Sequence, residues 1–128
     1  MLTRTTGYAL GVALLSLLLG HPAQAQKIEV DSGVFCDTQQ QVERVVALFD
    51  GNAEKAVKAV NSEQNDPTAC VGATLAVIRG PEIATARTKN GTFNVVRVLV
   101  VGILTEDGFR NTVPTVLYSF EQVDERVA

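Results

Sequence analysis

The side chains able to do chemistry in this 128-residue chain are few. It has one histidine, His21, one methionine, Met1, two cysteines, Cys36 and Cys70, and no tryptophan. Imidazole is the usual base that activates a serine or thiol, and a common zinc ligand. The only imidazole therefore decides much, and it falls within the first 25 residues.

Those residues read as a cleavable export signal. Arg4 supplies the positive start, and residues 7–20 (GYALGVALLSLLLG) form an uncharged apolar run. Gly20-His21-Pro22 breaks the run before Ala23-Gln24-Ala25, a small-x-small pattern that predicts cleavage after Ala25 and leaves Gln26 first. An apolar run of about 14 residues is shorter than the roughly 20 that cross a bilayer as a helix, so no stable membrane span is expected. Residues 26–128 then form one domain, large enough for a modest core. With its leader gone, that domain carries no His, Met or Trp. The whole chain has 14 acidic and 11 basic residues, net −3, and losing Arg4 makes it more negative. Such a surface repels nucleic acid and anionic lipid, so neither is an expected partner.

Both cysteines lie beyond the leader. An even number of thiols in an exported chain reads as a disulfide, Cys36 to Cys70. They lack the C-x-x-C spacing of a redox pair, and two thiols without histidine are too few for a closed zinc site. No metal or cofactor is expected.

Catalytic alternatives are thin. A serine–lysine pair would draw on Ser32, Ser62 or Ser119 with Lys27, Lys55, Lys58 or Lys89, yet no S-x-x-K spacing occurs. Paired carboxylates can cleave glycosides, but with this many acids some pair always exists. Glu106-Asp107-Gly108 suggests a calcium loop only until Arg110 and Val113 fall where oxygen ligands are needed; it reads as a turn. Asn90-Gly91-Thr92 matches a glycosylation sequon and equally suits a tight hairpin.

The elements that would position any site alternate in texture. Residues 26–33 are polar, although Ile28 and Val30 alternate as in an edge strand, and Val34–Cys36 reads as a buried strand end. Asp37 with Gln40 predicts a capped helix carrying Val42, Val45, Val46 and Phe49 on one face, ended near Gly51. Asn52 predicts the cap of a second helix with the stripe Ala53, Ala56, Val57 and Val60, stopped at Asp66-Pro67. Four strands are then expected: 71–78, a turn at Arg79-Gly80-Pro81, 83–89, a hairpin at Asn90-Gly91, 92–104, a hairpin at Asp107-Gly108, and 111–123. Apolar residues on both faces of 92–104 mark a strand covered on both sides. The fold class is α+β: a helical hairpin followed by a four-stranded antiparallel meander, able to curl into a small SH3-like barrel.

One constellation stands out. A two-residue turn at Asp107-Gly108 puts Arg97 opposite Tyr118, and one at Asn90-Gly91 puts Ala84 beside Arg97. An arginine in the most apolar strand, beside a tyrosine, is a candidate contact for an anionic or aromatic ligand. The plainer reading is that Arg97 lays its stem along the sheet and reaches solvent.

The stretches FCDTQQQVERVVALFDGN, AVNSEQNDPTAC and VRVLVVGI resemble small exported proteins of Gram-negative bacteria that carry no assigned function. The resemblance implies a periplasmic address and assigns no site residue. The expected function is a non-enzymatic binding module of the periplasm or envelope. Its partner would be a protein or envelope component, or a second copy in a homo-oligomer. Alternatives are a small carboxylate-based hydrolase or hydrolase inhibitor, and a structural envelope-stress protein. An intact mass of the exported protein tests the frame. It should equal residues 26–128 less two hydrogens; a mass retaining His21 would remove the argument from the missing imidazole.

Overall fold

A computed structural model describes residues 27–124. The predicted export signal, with Ala23, Ala25 and Gln26, lies outside the described residues. The elements are β1 (Ile28–Cys36), α1 (Gln39–Leu48), α2 (Ala53–Gln64), β2 (Cys70–Thr88), β3 (Gly91–Thr105) and β4 (Gly108–Gln122). All strands pair antiparallel, in the order β1-β2-β3-β4. The first and last strands meet through Phe35↔Ser119 and Cys36↔Tyr118, so the order returns to β1.

The class α+β holds, with one correction to the strand count. Three strands follow the helices, and the fourth member of the sheet is β1, which precedes them. The predicted strands 71–78 and 83–89 are one 19-residue strand, β2. Arg79-Gly80-Pro81 does not reverse the chain; register shifts between Arg79 and Glu82, and between Glu82 and Ala84, absorb the extra residues. Pro81 has no N–H to give a ladder, and Gly80 lies so close to β3 that a Cβ there would stand 2.5 Å from the Arg97 carbonyl oxygen. Gly-Pro marks a bulge as readily as a turn.

Helix α1 starts at Thr38, one residue after the predicted Asp37. The Thr38 hydroxyl accepts from the Gln41 N–H at 3.2 Å, and the Gln41 side chain accepts from the Thr38 N–H at 3.0 Å. Val42, Val45 and Val46 are fully buried. Phe49 is not on the helix but caps it. Asn52 caps α2 as expected, through the Lys55 N–H. Both hairpin turns close one residue earlier than expected, with Thr88↔Gly91 and Thr105↔Gly108 as their first pairs. Gly91 and Gly108 take φ of 137° and 105° just after the turn, conformations only glycine adopts cheaply.

The sheet buries both faces of β3. The helices press Val42, Val45, Val46, Ala56 and Val60 onto the outer face, against Phe93 and Val95. Phe35, Leu75, Val77, Val96, Val98 and Val100 fill the inner face. Burying each such side chain stabilises the fold by about 1.5–3 kcal/mol. Where the helices meet the sheet, Phe49 and Phe120 each meet Phe93 edge to face and each other at a tilt, with centroids 5.7–6.3 Å apart.

Cys36 and Cys70 are bonded, and they are also the last register pair of the β1–β2 ladder. The helical hairpin is thus an insert closed at its base. Asn61 of α2 clamps the same place: its amide donates to the carbonyls of Pro67 and Cys70 and accepts from the Cys70 N–H at 2.8 Å. Removing the bridge by Cys36→Ala/Cys70→Ala should lower unfolding free energy by about 3–4 kcal/mol. Asn61→Leu should cost about 1–3 kcal/mol through unmet backbone groups at Cys70. Denaturant melts read both; an Asn61→Leu protein as stable as the parent would remove the clamp.

Candidate functional site

Arg97 and Tyr118 are direct cross-strand partners, as the sequence suggested. The route differs. The turn at Glu106-Asp107 alone would misplace them, but β4 spends Thr112, Val113 and Pro114 against Val101 of β3, and this bulge restores the register. The expected neighbour Ala84 pairs with Val95 instead, because the β2–β3 turn closes one residue early, at Thr88↔Gly91, and the ladder runs unshifted from there. Arg97 is exposed and makes no ion pair among the described residues, while Tyr118 packs toward the helix-covered core. No enclosed anchor forms around the pair.

The other chemical candidates are committed elsewhere. The Ser119 hydroxyl donates to the Val34 carbonyl at 2.6 Å, stapling the β1–β4 seam. Ser32 bonds Thr74 at 2.7 Å. The Asn90 side chain donates to the Phe49 carbonyl, tying the β2–β3 hairpin to the end of α1. Asp107 sits in its turn, 3.6 Å from Arg110. No group of three His, Cys, Asp or Glu able to hold a metal occurs among the described residues. None of their helices is long and apolar enough to cross a membrane.

Two surface features adjoin β1. The first is apolar. Ile28 pairs with Ile78, Ile78 with Leu99, and Leu99 with Val116, a row crossing all four strands. By the two-residue period of strands this row lies on the outer face, with Cys36, Val95 and Tyr118, but beyond the helices. Ile28 is 59% exposed, Val30 63% and Val116 48%. Val30 pairs with half-buried Ala76, which in turn pairs with buried Gly102.

The second feature is a cleft of about 210 Å³ on the inner face, where β1 and β4 diverge. Val77, Val96 and Val98 form its floor; Glu29, Asp31 and Glu121 line it with Arg79. Arg79 donates through two nitrogens to the Glu121 carboxylate and lies 3.9 Å from Glu82. Hydrogen bonding to Glu121 holds the Arg79 guanidinium above its ordinary pKa, against the opposing effect of burial. Composition alone could not find this cluster, since Arg79, Glu121 and Glu29 come from three strands.

Arg97→Ala removes an exposed side chain with no charge partner, so stability should stay within about 0.5 kcal/mol of the parent. A thermal melt showing a loss above about 2 kcal/mol would mean that its stem carries packing the exposure conceals.

No family model matches the chain, and no curated protein or solved structure matches it.

Proposed function

We propose that the protein is a non-enzymatic binding module of the periplasm or cell envelope, and that the outer sheet face around Ile28, Val30 and Val116 receives its partner. The observation that supports this is an apolar row across four strands whose ends, Ile28 with neighbouring Val30 and Val116, are exposed while Ile78 and Leu99 between them are half-buried. Such side chains exposed singly are ordinary; a contiguous set on one sheet face is the usual mark of an interaction surface. A disulfide at the sheet's most buried corner suits an oxidising compartment. A small SH3-like curl of the sheet, with the helices to one side, would leave this face free.

The partner is a protein or envelope component, with a second copy of the chain as the alternative occupant. A photo-crosslinking residue in place of Val30, in cells exporting the full chain, should give a discrete adduct. The same residue in place of Glu54, on the far side of α2, should not. Val116→Asp should reduce the Val30 adduct at least fivefold. A chain-sized increment, with a concentration-dependent dimer in sedimentation, assigns the face to self-association. Identical adducts from both positions, or none, would end the proposal.

A further inference from the structure

β1 and β4 touch only at one end. From Ile28 to Val34, β1 pairs among the described residues with β2 alone. In an antiparallel ladder every second residue directs both its N–H and its C=O away from its partner strand. That edge of β1 therefore presents backbone donors and acceptors to the cleft, the arrangement to which an extended peptide adds as a further strand.

Charge selects among extended peptides. Glu29 and Asp31 face the cleft and make no ion pair among the described residues. Arg79, the one cation in the lining, is engaged by Glu121 and Glu82 at close range and by Glu29 only through longer-range attraction. The lining is thus acidic in excess over a floor of buried valines. Its volume lies below the roughly 300–1,000 Å³ of small-molecule pockets and suits one or two side chains. A lysine or arginine fits both layers, its methylenes over Val77, Val96 and Val98 and its charge beside the carboxylates. A second copy does not fit: antiparallel pairing of two β1 edges sets Glu29 and Asp31 against their counterparts.

We propose that the cleft between β1 and β4 captures an extended basic polypeptide segment, which adds as a strand to β1 and places a cationic side chain between Glu29 and Asp31. This is separate from the apolar outer face and stands or falls without it. Gly33 leaves the room. It lines the cleft, a Cβ built there meets nothing within 4 Å, and its backbone is not left-handed. A larger residue at 33 should fill the space without strain.

The probe is an acetylated, amidated octapeptide alternating lysine and threonine, titrated into the full-length exported protein by NMR and calorimetry. Expected are shifts of the amides of residues 28–34, binding that weakens with salt, and at least tenfold weaker binding to E29Q/D31N and to G33L. Backbone N-methylation of alternate peptide residues should abolish binding, and a glutamate–threonine peptide should not bind. E54Q, which removes an exposed carboxylate on α2 away from the cleft, should bind the lysine peptide as the parent does. No binding of the lysine peptide at millimolar concentration overturns the proposal, as does equal binding of the N-methylated or the glutamate peptide. Should E29Q/D31N fail to fold, G33L and the peptide series still decide the matter.

Discussion

The register of β1 on β2 is the constraint from which the rest follows. It is held hardest at Cys36↔Cys70, where a covalent bond joins residues already paired in the ladder, with Cα atoms 4.0 Å apart. At that corner Phe35 must enter the inner core, and Cys36 must face out under the helices. With period-two alternation, this settles the side to which every residue back to Ile28 points. The same corner fixes where the helical insert leaves the sheet and returns. Asn61 and the Asp37 N–H to Ala69 carbonyl bond at 2.9 Å then tie its two ends together.

Two cores depend on that corner, and they divide the labour. On the helix side α1 and α2 contribute valines and an alanine to the buried cluster, and they cover only the corner of the sheet. The Phe49–Phe93–Phe120 trio and the Asn90 hydrogen bond extend that coverage to the first hairpin. The inner core, mostly valine, closes the sheet on itself near Phe35 and Ser119 and opens away from them. Among the described residues, the outer face beyond the helices, the cleft, and the β3–β4 hairpin end with Leu104, Phe109 and Val113 are surface that this division leaves unused by folding.

Much of this was legible in the residues. The valine stripe of α1 and the alanine–valine stripe of α2 have a period no strand could satisfy, and both helices lie where the pattern put them. Asn90-Gly91 and Asp107-Gly108 marked real hairpins, but glycine served the position after the turn, so each loop closed one residue early. The pairing of Arg97 with Tyr118 was right although the turn behind it was wrong, because a bulge around Pro114 offset the error. The double length of β2 was hidden, since Gly80-Pro81 carries the same local signal whether the chain reverses or only bends. The cleft was hidden for another reason: its members are joined only by tertiary pairing, and single acidic residues in an acidic chain carry no signal.

β1 was the hardest element to read because its first half is inverted. A half-buried strand ordinarily turns its apolar residues inward and its charges to water. Here Glu29 and Asp31 line the interior cleft, while Ile28 and Val30 stand in solvent. Sliding β1 by one residue would turn the two aliphatics toward the valine floor of the cleft and the carboxylates to the outer face, although positions 28–31 are exposed on both sides. It would also turn Phe35 out of the inner core, break the Cys36–Cys70 pairing and part Ser119 from Val34. The C-terminal half of β1 therefore holds the N-terminal half in a register that the latter's own side chains disfavour. That single inversion produces the apolar outer face and the acidic cleft together. A sequence that violates its own alternation where a bridge forbids correction is at odds with folding alone, and violations of that kind gather at surfaces kept for binding.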